Sequence, residues 1–251
     1  FLSALEKITG SFAAAVAEAG RLLNARGEVI PVTDGNMRLI VELKNGEKLM
    51  GEHYLDNSEE VRSVGVKNIS LQNQVAAYPA AVERIREADA IVTGPGDLYG
   101  SVLPPLLIPE IAKAIRDSRA PLIYIANLTN KKGQTDGFDA HKYAHIIHDY
   151  IGTHAIDTLV CNTTVPPAHL IERYEQQEGK DMIAACVDRG GEPYHIVARD
   201  LMSLESAVLH PPADLAKGRS SIRHDPIKLA AAVLALVRMP MRIENAPPEE
   251  R

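Results

Sequence analysis

A short apolar run, Ala90 to Thr93, is cut by Gly94-Pro95-Gly96 and continues through Asp97-Leu98-Tyr99-Gly100-Ser101 to Leu103-Pro104-Pro105. Ile108, Ile111, Ala112 and Ile115 then recur at helical spacing, with Pro109 tolerated in a first turn. Strand, glycine loop and helix form a unit that places unpaired N–H donors and a helix N-terminus at the carboxyl end of a sheet strand. Anionic groups bind there, because donors and helix dipole point the same way. The same residues also suit a tight βα turn whose glycines serve geometry alone. Either way, the stretch commits the chain to an α/β architecture.

The alternation repeats on both sides of that unit. Helical patterns at Pro79–Ala88, Pro105–Ser118, Asp139–Ile151 and Ala168–Gln177 separate strands at Ala90–Thr93, Leu122–Ala126 and Thr158–Cys161. Ile183–Val187 and His195–Val197 read as one strand each, and Asp225 caps a last helix, Pro226–Val237. The expected fold is α/β, a Rossmann-like, mainly parallel sheet with helices on both faces and right-handed crossovers. Ahead of it, Phe1, Leu2, Leu5 and Ile8 have helix spacing, Ser11 is an N-cap, and Glu28–Thr33 reads as a strand. Met37–Leu43 and Lys48–Leu55 flank Asn45-Gly46, a β-hairpin excursion over residues 37–55 that lies outside the parallel sheet. Val64–Leu71 is one more strand or a covering loop. A single α/β domain is expected over residues 1–240 and a flexible tail over 241–251. Because Phe1 falls inside a helical pattern, that domain is expected to be incomplete on its N-terminal side.

Composition narrows the function. The chain has 251 residues and a net charge of −6, without a basic stripe, which argues against nucleic acid as partner. No apolar run reaches membrane-spanning length; Leu229–Val237 is a core helix. The two cysteines, Cys161 and Cys186, are too few for a disulfide framework and lack metal-type spacing. No signal peptide precedes them, so the cytoplasm is the expected compartment.

In an open parallel sheet, ligands bind beyond the carboxyl ends of the strands. Those ends read Thr93-Gly94-Pro95-Gly96-Asp97, Asn127-Leu128-Thr129 and Asn162-Thr163-Thr164. An Asn amide offers donor and acceptor together, which suits a base edge or sugar hydroxyls; it also caps turns. The loop Asn130–Gly137, with two lysines and two glycines, fits a flexible lid over an anion or a solvated turn. His141, His145 and His148 fall on one helix face opposite Tyr143, Ile146, Ile147, Tyr150 and Ile151, and so read as solvated rather than as metal ligands. Cys161 ends a buried strand as a small core residue. Arg223 and His224, just ahead of the last helix, suit a diphosphate grip, Arg through its planar fork of donors. No catalytic residue can be assigned.

Gly94-Pro95-Gly96-Asp97-Leu98-Tyr99-Gly100-Ser101-Val102-Leu103-Pro104 resembles the GPGSLYTSxLPN signature of the CofD/YvcK-like family. Asn127-Leu128-Thr129 with Gly133-Gln134-Thr135-Asp136-Gly137-Phe138 resembles its NLMTQPGETDGY segment. Arg26-Gly27, Pro31-Val32-Thr33, Gly51-Glu52 and Arg223-His224-Asp225 follow in matching order. The resemblance is closer to the gluconeogenesis-factor branch than to the 2-phospho-L-lactate transferase branch. It implies a Rossmann-like fold that binds a nucleotide diphosphate, a UDP-sugar or GDP. In the first branch that goes with cell-wall and carbon metabolism and cell shape; in the second, with a magnesium-dependent transferase acting on a nucleotide-activated donor. It implies ligand contacts at Gly94, Pro95, Gly96, Asp97, Tyr99, Ser101, Asn127, Thr135, Asn162, Tyr174, Arg223 and His224. A small-molecule nucleotide is thus the expected partner, in a homodimer, with magnesium open. Asp97 stands where the signature has Ser and sets a carboxylate beside the proposed phosphate loop, unfavourable unless a metal or Lys intervenes. Asn130-Lys131-Lys132 replaces the segment's Thr-Gln-Pro.

Overall fold

The computed structural model describes residues 1–152, 155–187, 190–203 and 222–238; the expected tail at 241–251 lies outside them. Four parallel strands, β4 (Ile91–Thr93), β5 (Leu122–Ile125), β6 (Thr158–Asn162) and β7 (His195–Arg199), line up in chain order. Ile91 pairs with Leu122, Ile123 with Thr158, and Thr158 with His195. Side chains of β5 alternate between faces, as strand geometry requires. Tyr124 packs with α7 (Ala140–Ile151) through Tyr143, Ala144 and Ile147. Ile123 and Ile125 instead meet α9 (Pro226–Arg238) through Ala232 and Leu229. Helices therefore cover both faces.

The hairpin expected around Asn45-Gly46 is present. β1 (Leu39–Leu43) and β2 (Lys48–Met50) pair antiparallel, and β3 (Val66–Leu71) pairs with the other side of β1. Leu39, Val41 and Leu43 point inward and join the apolar cluster of the parallel sheet. The excursion thus shares the main core. Its second arm is shorter than Lys48–Leu55: after Gly51 the chain turns into α3 (His53–Asn57) and α4 (Glu59–Val64), and Leu55 is buried from a helix.

Caps fall where side-chain chemistry places them. Ser11 accepts from the Ala14 N–H at 3.1 Å at the start of α2 (Phe12–Leu22), which follows α1 (Leu2–Thr9). Asp139 accepts from Lys142 N–H at 2.8 Å at the start of α7. The helix expected at Pro79–Ala88 is α5 (Pro79–Glu87), and that at Ala168–Gln177 is α8 (Ala168–Glu178).

Other expectations change. Glu28–Thr33 is extended chain rather than a strand; Val32 accepts from Tyr78 N–H, and Pro31 has no N–H to extend a ladder. The helix expected over Pro105–Ser118 breaks into a 3₁₀ turn (Pro104–Leu107) and α6 (Pro109–Asp117), and a π-type turn (Leu98–Val102) precedes it. Ile108, ahead of a proline, is extended, and a helix cannot run through it. Ile183–Val187 forms one bridge, Ile183 to Thr129, and otherwise bonds to the loop beside it. His141 and His148 are buried, not solvated: His141 meets the Tyr194 hydroxyl and the Val187 carbonyl, and His148 Nε2 accepts from Ile156 N–H. Cys161 is buried but is joined to Cys186 in a disulfide. Among the described residues no helix is long and apolar enough to cross a membrane.

At the start of α9, Asp225 Oδ1 accepts from Ile227 N–H at 2.9 Å and Lys228 N–H at 3.0 Å. Asp225→Ala should lower unfolding free energy by about 0.5–2 kcal/mol, the range of a lost N-cap. Urea denaturation checks this; an unchanged midpoint would show that the cap contributes nothing.

Candidate functional site

The carboxyl ends of β4 and β5 open into a cavity of about 170 Å³, lined among others by Asp97, Asn127, Lys131, Thr135, Tyr143 and Tyr174. Two glycines let its walls close. At Gly94, φ is +75°, and a Cβ would lie 2.6 Å from the Ile125 carbonyl oxygen. The loop after β4 is thereby pressed against the end of β5. At Gly133, φ is +79° and a Cβ would lie 2.1 Å from the Val61 carbonyl oxygen. The Gly133 carbonyl accepts from Val66 N–H at 2.7 Å, which ties this loop to β3 as well.

The loop Asn130–Gly137, read as a flexible lid or a solvated turn, is packed and hydrogen-bonded through part of its length. Asn130, Gln134 and Thr135 are buried. Thr135 Oγ1 accepts from Lys131 N–H at 2.9 Å, and Gln134 donates to the Leu55 carbonyl. Asn130 donates to the Phe138 carbonyl at 2.9 Å and accepts from the Tyr143 hydroxyl at 2.8 Å. The Tyr174 hydroxyl donates to the Asn130 carbonyl at 2.6 Å. Burial raises the Tyr143 and Tyr174 hydroxyls above the ordinary tyrosine range, so both remain protonated donors.

Electrostatically the centre is Lys131. Its ammonium lies 2.7 Å from Asp97 Oδ2 and 2.8 Å from Asp56 Oδ1. Burial works against its charge, but the two carboxylate hydrogen bonds outweigh that and hold its pKa above an ordinary lysine. The carboxylate that Asp97 brings to the glycine loop is therefore answered by a lysine. Nearby, Arg62 on α4 pairs with Glu178 on α8 at 3.1 Å and donates to the Gln177 carbonyl at 2.7 Å. These contacts fasten α3 and α4 across the mouth of the parallel sheet.

Three buried side-chain atoms among the described residues lack a hydrogen-bond partner: Tyr124 Oη, Asn127 Oδ1 and His224 Nε2. Of the three residues, Asn127 lines the cavity. Tyr124 is in β5, Asn127 follows that strand, and the His224 ring bonds to the Ala126 carbonyl. Burial holds His224 below the ordinary histidine range, so its imidazole is neutral and Nε2 an acceptor. Unpaired buried polar atoms each cost about 1–3 kcal/mol, and Asn127 Oδ1 leaves one such acceptor in a residue that lines the cavity.

The expected site residues divide accordingly. Asp97, Asn127, Thr135 and Tyr174 line the cavity. Gly94, Pro95 and Gly96 form the loop beside it, Gly96 accepting from Asn127 Nδ2 at 2.9 Å, and Ser101 lies exposed against Gly96. His224 stands behind the end of β5. Tyr99 points into the core instead, where burial raises its pKa to about 12. Asn162 is consumed by its own turn, bonding Thr164 and accepting from Leu201 N–H at 3.0 Å. Arg223 is exposed beside the bridge from Met202 to His224. Sequence reasoning missed Asp56, Tyr143 and Glu178. Nothing local marks them, because they meet the site from α3, α7 and α8. A second groove, about 470 Å³ between α2 and α5, lies apart from the strand ends.

The sequence profile of the family described as 2-phospho-L-lactate transferase CofD matches residues 1–202. The gluconeogenesis factor of Listeria monocytogenes is 32% identical over 237 residues, covering 94% of this chain and 67% of its own length. That of Bacillus subtilis is 27% identical over 238 residues, covering 94% and 70%. A solved structure of a UPF0052 family protein from Bacillus halodurans superposes with a TM-score of 0.78 at 27% identity, covering 93% of this chain and 69% of that one. The chain thus spans roughly two thirds of these relatives.

Gly133→Ala should be severely destabilising, by about 2 kcal/mol or more, because both the positive φ and the Val61 backbone oppose a side chain. Thermal melting checks it. A melting temperature equal to that of the unsubstituted chain would mean that the contact between this loop and α4 is loose.

Proposed function

The chain belongs to the CofD family, and from that premise we propose that it is a nucleotide-diphosphate-binding protein of the gluconeogenesis-factor type. Its ligand in this reading is a UDP-sugar, and its role the regulation of cell-wall and carbon metabolism and of cell shape. The observation that carries the reading is the cavity itself. It lies beyond the carboxyl ends of adjacent parallel strands, where doubly wound sheets place nucleotides. It also joins a tightly packed glycine loop to Asn127 Oδ1, a buried acceptor left without a partner among the described residues.

Magnesium fits this cavity poorly. Asp56 and Asp97, the carboxylates best placed to share a cation, already share the Lys131 ammonium. Among the described residues no cluster of three His, Cys, Asp or Glu is disposed to hold a metal ion. A lysine fixed there supplies positive charge without an ion and makes the glycine loop tolerable to phosphate. The gluconeogenesis-factor name of these relatives supports the first reading, and the family's transferase description supports the magnesium-dependent transferase alternative.

Calorimetric titration of the full chain with UDP-glucose, UDP-N-acetylglucosamine and GDP tests the reading. A saturable heat with a uridine ligand in magnesium-free buffer is expected. Lys131→Met should weaken it by about tenfold or more, since two carboxylates would then face the phosphates unscreened. Heat with no uridine ligand would remove the proposal. Unchanged affinity in Lys131→Met would remove the part given to the lysine.

A further inference from the structure

The cavity beyond β4 and β5 has committed most of its side-chain donors and kept strong acceptors open. The Tyr143 and Tyr174 hydroxyls both donate to Asn130, and the Gln134 amide donates to the Leu55 carbonyl. The Lys131 ammonium donates to Asp56 and Asp97. Asn127 gives its Nδ2 to the Gly96 carbonyl, which leaves Oδ1 buried and unpartnered. Asp97 uses Oδ2 on Lys131, and its Oδ1 makes no hydrogen bond among the described residues. Among the described residues, the Thr129 and Thr135 hydroxyls, a third Lys131 N–H and the exposed Gln177 amide also line it and can donate.

Charge points the same way. Asp56, Asp97 and Glu178 line the cavity, with Lys131 the one cationic side chain in the wall among the described residues. Phosphate oxygens accept hydrogen bonds and carry negative charge, so they meet acceptors and carboxylates here. Hydroxyl groups donate and are neutral, so they meet complementary partners. Size agrees: about 170 Å³ is below the roughly 300–1,000 Å³ that encloses a whole drug-sized ligand, so one group of the ligand enters.

We propose that this cavity is a subsite for the hydroxyl-rich sugar of a sugar nucleotide, with Asn127 Oδ1 and Asp97 Oδ1 accepting from sugar hydroxyls and the diphosphate held outside the cavity. The assignment rests on the nucleotide reading above and deepens it. Asp97 then determines specificity: it favours the sugar and opposes the phosphate.

Calorimetry on the full chain, comparing UDP-glucose and UDP-N-acetylglucosamine with UDP, tests the assignment. The unsubstituted chain should bind at least one sugar nucleotide about tenfold or more tighter than UDP. In Asp97→Asn that preference should fall to about twofold or less, with UDP affinity kept or raised as carboxylate repulsion is lost. Asp97→Ser, a smaller residue at the same position, should show the same collapse and serves if the first variant melts early. Equal affinity of the unsubstituted chain for UDP and both sugar nucleotides overturns the subsite. So does an equal loss for sugar nucleotide and UDP in both variants, which assigns Asp97 to loop shape and leaves nucleotide binding standing. No heat with any of the three ligands overturns the nucleotide reading and the subsite together.

Discussion

At Gly133 the backbone of the loop after β5 lies against that of α4 with no room for a side chain, and the rest of the site is hung from this contact. On one side it anchors a loop whose Asn130, Gln134 and Thr135 are buried and hydrogen-bonded. On the other it fixes α3 and α4, and with them Asp56 and Arg62, across the end of the parallel sheet. Without that approach Lys131 could not reach Asp56 and Asp97 together. The cavity is therefore assembled from the loops after β4 and β5 together with α3, α7 and α8, rather than from any one loop.

Function and stability pull apart at the end of β5. The core beneath it is dense: Tyr124, Ile123, Leu159 and Ile147 are fully buried. In that strand and around its end, Tyr124 Oη, Asn127 Oδ1 and His224 Nε2 are buried without partners among the described residues. A chain selected for stability alone would fill or pair these groups. The Lys131 pairs act in the opposite sense, cancelling charge that the glycine loop could not otherwise carry beside an anion. Cost and compensation lie within the same few residues.

Much of the frame was legible in the sequence because it rests on local chemistry. Asn45-Gly46 specifies a hairpin, Ser11, Asp139 and Asp225 cap helices, and the alternation from Pro79 onward specifies parallel strands. Gly94, Asp97 and Asn127 could be placed at the site because strand ends converge there by topology. What could not be read depends on distant partners. His141 and His148 carry a polar label, but Tyr194, Val187 and Ile156 come from elsewhere in the chain to bury them. Asn162 carried the same sequence signal as Asn127, yet the Leu201 N–H consumes it. Asp56 directly follows the segment Lys48–Leu55, whose pattern reads as a strand, and after Gly51 the chain instead enters the helix that carries it. Helix breaks at Ile108 and the missing ladder at Pro31 were, by contrast, written in proline chemistry.

The most direct test of a ligand site built at the ends of β4 and β5 is a crystal structure of the full chain with UDP-glucose or UDP-N-acetylglucosamine bound. Nucleotide density should lie beyond Gly94–Asp97 and Asn127, with sugar hydroxyls within hydrogen-bond distance of Asn127 Oδ1. Density for the nucleotide in the groove between α2 and α5, with the strand-end cavity holding only water, would contradict it.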